Sequence, residues 1–154
     1  MKILVLVLIF LAWFAAPANA DFDAGKSAYD RGDYATALRK YKPLAEKGNA
    51  RAQFNLGLMY GGGMGVPQDY SEALRWFRLS ADQGYAMAQF NLGLMYYDGT
   101  GVPQDYKAAM RWFRLAADQG DTAAQHNLGN MYSNGMGVPQ DYQEAMRWWR
   151  LAAE

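Results

Sequence analysis

The chain contains no cysteine. That absence excludes thiol nucleophiles, thiolate zinc sites and any disulfide framework. Histidine is nearly absent as well: His126 is the single copy. It has no serine, cysteine or second histidine at a recognisable spacing, so neither a triad nor a metal site is expected. No excess of one charge exists, with 15 Lys and Arg against 15 Asp and Glu. Nucleic-acid binding calls for a basic surplus and is not expected. What the chain does have is aromatic residues, 11 Tyr and 5 Trp among them. A domain without disulfides relies on such packing surface alone.

The first residues read "MKILVLVLIFLAWFAAPANA". Lys2 is a minimal basic region, Ile3 to Ala16 an apolar run, and Ala18-Asn19-Ala20 a small-residue cleavage signature. Residues 1–20 are therefore expected to be a secretory signal, giving a secreted or periplasmic protein that starts at Asp21. The competing expectation is an uncleaved anchor, because Ile3 to Ala20 carries no charge over the shortest length that spans a membrane. Membrane contact is expected only in that case.

The rest of the chain repeats itself at a shift of 36 residues. Gln53 to Asp82 and Gln89 to Asp118 agree at 23 of 30 positions, and a third copy starts at Gln125. A fixed period of this size marks a solenoid, whose units bury their apolar faces against one another. The boundaries fall near 50–85, 86–121 and 122–154. A divergent unit precedes them in 21–49: "FDAG" echoes "FNLG" and "DYATAL" echoes "DYSEAL", with a loop four residues shorter between them.

Each unit reads as helix, loop, helix. Ala52, Leu56, Gly57, Met59 and Tyr60 share one face of the first helix. Ala73, Phe77, Ser80, Ala81 and Gly84 form an apolar or small stripe on the second, with Ser71, Glu72, Arg75, Arg78 and Asp82 turned outward. Between them stands "GVPQDY", at Gly65, Gly101 and Gly137. A glycine-rich loop with an aspartate can cradle phosphate or calcium. Here each residue has a structural task instead. Asp69, Asp105 and Asp141 sit at the N-cap position, Glu72 and Glu144 complete a capping box, and Pro67, Pro103 and Pro139 break the chain. Gly62 replaces Asp98 between copies, which no calcium loop tolerates. Gly48, Gly84 and Gly120 stand where a C-terminal cap belongs. No cofactor and no metal are expected.

The pattern A-x-A-Q-x-x-L-G-x-x-Y, then G-x-G-V-P-x-D-Y, then A-x-x-W-F-x-x-A-A resembles the Sel-one-like repeat, a relative of the tetratricopeptide repeat. It covers 50–154 strongly and 22–49 weakly. The resemblance implies an all-α, right-handed α-solenoid of four helix pairs, preceded by the signal segment. It also implies a non-enzymatic adaptor or scaffold for a protein or peptide partner, in the periplasm or cell envelope. The alternative is a cell-wall or β-lactam hydrolase, as some cysteine-rich members resemble. This chain lacks their cysteines, and no catalytic residue carries over.

Candidate partner-binding residues lie opposite Leu56 on the first helices. They are Phe54, Asn55 and Leu58; Phe90, Asn91 and Leu94; and His126 and Asn127. Two readings stand: packing against adjacent units, or a groove whose asparagines bind an extended peptide while Phe54 and Phe90 anchor it. Arg75/Arg78, Arg111/Arg114 and Arg147/Arg150 form a ridge on the second helices, either solvated or facing an acidic partner. Trp76, Trp112 and Trp148 are expected between units. The last copy stops inside its second helix with Met146, Trp148, Trp149 and Leu151. A contact with another chain, a copy of itself included, is expected there, the alternative being an end that frays.

Overall fold

The computed structural model describes residues 18–154. The expected signal segment lies outside these residues, apart from its last three. Among the described residues there are eight α-helices and no strand: α1 (Ala18–Asp30), α2 (Tyr34–Glu46), α3 (Ala50–Gly62), α4 (Tyr70–Asp82), α5 (Ala86–Asp98), α6 (Tyr106–Ala117), α7 (Thr122–Asn134) and α8 (Tyr142–Leu151). No helix among them is long and apolar enough to cross a membrane. They form four pairs, and close packing runs between helices adjacent in sequence. The chain is an α-solenoid.

The helices start and stop where their sequences say. Asp69 Oδ1 accepts from the backbone N–H of Ser71 and Glu72 at 2.9 and 3.0 Å. Asp141 caps α8 in the same way and Asp105 caps α6 through the Ala108 N–H alone, and Asn49 and Asp121 cap α3 and α7. The expected capping box is only half formed. The Asp69 N–H donates to Tyr60 O at 2.9 Å, so Glu72 has no amide to reach back to. It pairs with Arg75 at 2.9 Å instead. Glu144 likewise turns to Arg147 and to the Trp148 indole.

The "GVPQDY" loop is a joint between units. Gly101 has φ +70°, and a Cβ there would stand 2.8 Å from the backbone oxygen of Tyr70, at the start of the previous unit's second helix. A side chain would thus clash and strain the backbone at once. Gly65 and Gly137 sit against Tyr34 and Tyr106 in the same manner.

Two devices recur in every seam. First, a buried glutamine staples each unit to the one before. Gln89 Nε2 donates to Ala81 O at 3.2 Å, while Gln119 Nε2 donates to Gln89 Oε1 at 2.7 Å. Gln53 does the same with Ala45 and Gln83. Buried amides need such partners, because leaving one unpaired costs about 1–3 kcal/mol. Second, the apolar clusters span neighbouring units. Trp76 and Trp148 are buried in clusters that reach back into the preceding unit, and Trp112 is half-buried against another.

Candidate partner-binding surface

Helices α3, α5 and α7 each pack against two helices, their own partner and the second helix of the preceding unit, so both flanks are covered. Phe54 is only 6% exposed. Its ring packs at 5.8 Å from Phe77 and 5.3 Å from Tyr85. Phe90 is half-buried with its ring 5.7 Å from Phe113. Phe54 is thus core, while Phe90 packs against a core cluster and keeps part of its surface exposed. They lie opposite Leu56 and are nevertheless packed, because the helix has two packed faces. Leu58 and Leu94 are half-buried against the same clusters.

The asparagine column is half-buried and partly occupied. Asn91 Nδ2 donates to Met87 O at 2.8 Å, and Asn127 Nδ2 to Ala123 O at 3.0 Å. These two amides are tethered within their own helices, leaving one Nδ2 hydrogen and Oδ1 of each for a ligand. His126 is exposed, with Nδ1 3.3 Å from Asn130 Nδ2. Among the described residues no group of three or more His, Asp or Glu could hold a metal ion. In α8, Trp148 is buried beneath Arg114, whose guanidinium lies 4.7 Å from the ring. It is not available to a partner. Met146, Trp149 and Leu151 remain exposed.

The arginine ridge is not uniform. Arg75 and Arg147 are paired with Glu72 and Glu144. Ala108 occupies the corresponding position before Arg111, and among the described residues Arg111 joins no ion pair. Beside it opens a cavity of about 520 Å³ between α6 and the following unit, lined by Lys107, Met110, Arg111, Arg114, Leu115 and Val138. Arg114 is held by Tyr132, whose hydroxyl accepts its Nη2 at 2.7 Å. Leu115 is 47% exposed at the rim. The site offers an apolar floor and three cationic side chains, one of them tethered. The sequence pointed to Arg111 and Arg114 but not to Lys107, Met110 or Val138. The missing glutamate in "DYKA" was the available signal.

The comparisons with known proteins follow this architecture. A profile of the Sel1 repeat matches residues 50–85, 86–121 and 122–154. The chain belongs to the Sel1 repeat family. Sel1 repeats are generally protein-interaction scaffolds and typically non-catalytic. Two solved structures are similar. One is a protective antigen of uropathogenic Escherichia coli with an SLR fold, at 40% identity and a TM-score of 0.84 over 88% of this chain. The other is a Sel1 repeat protein from Oxalobacter formigenes, at 35% identity and a TM-score of 0.82 over 86% of this chain. The match spans 30% of the first structure's chain and 54% of the second's. No curated protein matches significantly.

Proposed function

We propose that this Sel1 repeat protein is an exported adaptor. It acts in the periplasm or cell envelope, where it holds a partner protein through a segment that combines acidic and apolar side chains. The observation that carries the reading is the α6 seam. Lys107, Arg111 and Arg114 surround an apolar cavity floored by Met110 and Val138, and Arg111 lacks the glutamate that neutralises its counterparts. Exposed Leu115 extends the apolar surface. An apolar centre with a charged rim suits a specific contact, the rim setting orientation and on-rate. Export is supported by the basic, apolar and small-residue order of residues 1–20.

Affinity capture from the native envelope tests it, comparing the unaltered protein with Lys107→Glu/Arg111→Glu. The expected result is a partner that is captured by the former, lost with the latter, and weakened by salt. Equal capture by both proteins sinks the assignment of this seam. Recovery of the protein in the cytoplasmic fraction sinks the export.

A further inference from the structure

Three seams join the four units, and two of them are plugged by a tyrosine. In the first, the Tyr29 ring packs edge-on to Tyr34, 5.4 Å between centroids, and its hydroxyl donates to Met64 Sδ at 3.2 Å. In the third, the Tyr97 ring lies 5.3 Å from Tyr106, and its hydroxyl donates to Met136 Sδ at 3.4 Å. The second seam has the matching Tyr70 but neither plug residue. Gly61 stands where Tyr29 and Tyr97 stand, and Thr100 where Met64 and Met136 stand. Both members of the contact have changed together. In their place is a cavity of about 290 Å³ between α3, α4 and α5, walled by Leu58, Ala73, Phe77 and Met95.

Packing does not demand Gly61. A Cβ there would meet only Ala73 Cβ at 3.6 Å, an ordinary contact, whereas one turn earlier at Gly57 it would meet Phe77 at 2.5 Å. A helical glycine with room for a side chain is destabilising. The seam is thus built short of one ring. Apolar cavities of about 150 Å³ accept benzene, so a substituted ring has space here. The largely apolar lining is more polar than its neighbours at one position, Thr100 in place of methionine. In the plugged seams the phenol finds a thioether, a weak acceptor. Here Thr100 brings a hydroxyl, and Asn91, with one Nδ2 hydrogen committed to Met87 O, keeps Oδ1 as an acceptor.

We infer that the second seam binds a tyrosine ring carried by a partner polypeptide, which supplies from outside what Tyr29 and Tyr97 supply from within. The polypeptide source rests on the adaptor reading; the ring site does not.

The test uses p-cresol, the tyrosine side chain itself, titrated into the full chain and followed by NMR of the methionine methyls. Saturable shifts are expected at Met64 and Met95, with at least tenfold weaker binding by cyclohexanol. The double variant Gly61→Tyr/Thr100→Met rebuilds the neighbouring plug. It is expected to melt at higher temperature and to lose p-cresol binding, so loss of binding is not loss of fold. No saturable shift in the unaltered chain overturns the site, as does undiminished binding in the plugged variant. Equal affinity for cyclohexanol overturns the aromatic assignment. Envelope capture separates the two readings. A partner held equally by the unaltered and plugged chains leaves the adaptor standing and overturns this seam as its tyrosine site. Binding of p-cresol with no polypeptide captured overturns the polypeptide source and the adaptor together.

Discussion

The ring of Phe77 lies on the bare backbone of Gly57, so close that a Cβ on Gly57 would stand 2.5 Å from ring atoms Cδ1 and Cε1. The same ring-on-glycine contact joins Gly25 to Tyr41, Gly93 to Phe113 and Gly129 to Trp149. Within each unit the two helices approach through this pair. Helix propensity alone would favour alanine at these positions, by about 1 kcal/mol. Packing overrides it.

Gly57→Ala is therefore expected to destabilise the protein, by about 1–3 kcal/mol for overpacking. Gly61→Ala, in the same helix, is expected to stabilise it by up to about 1 kcal/mol. Urea denaturation of the two variants checks both signs. Equal shifts in one direction would remove the steric account of Gly57.

The N-cap of α6 rests on one carboxylate. Asp105 Oδ1 accepts the Ala108 N–H at 2.9 Å. Asp105→Ala is expected to cost about 1 kcal/mol, and Asp105→Asn much less, since an amide oxygen caps as well. Thermal melts of the pair distinguish capping from charge.

The glutamine staple makes a separable contribution. Gln89→Leu removes the bonds to Ala81 O and from Gln119, leaving Gln119 Nε2 with Leu115 O alone. The expected loss is about 1–3 kcal/mol. A second change, Gln119→Leu, is expected to add less than it costs alone, because the two share one bond. A double-mutant cycle in urea measures the difference.

Alkaline stability reports on Tyr41. Burial pushes its phenol from 10.0 up to about 12, with Asp30 and Tyr29 adding to the shift and Arg51 opposing it. Above pH 10 the unfolded chain ionises this tyrosine while the folded one does not. Its contribution is complete below pH 10 and is lost as pH rises towards 12. Tyr41→Phe is expected to flatten this part of the stability–pH curve, read by denaturant melts at stepped pH.

Much of this architecture was legible in one dimension. The 36-residue shift, the aspartate caps and Gly48, Gly84 and Gly120 after the second helices are local signals, and each holds in the structure. Tryptophan packing between units was legible too. The errors came where a residue serves two partners. Phe54 and Phe90 left two readings open, because apolar residues opposite Leu56 fit either a second packed face or a groove. Glu72 looked like a capping arm because the prior claim on the Asp69 N–H comes from Tyr60 O in the preceding helix, across the whole loop. The open seam was visible as "GGGM" against "YDGT". Its meaning was not, since Gly61 and Thr100 line one cavity from different units, a juxtaposition no local pattern encodes.

The staple has a consequence for growth. Gln89 reaches back to the unit before it and is met by Gln119 from its own unit's end, and Gln53 and Gln83 repeat the arrangement one period earlier. A duplicated stretch of one period therefore arrives with both halves of its joints already written. Nothing at the junction has to be invented. Length in such a molecule is an adjustable quantity, set by copying, much as a chain is lengthened by adding a link cut to the common pattern.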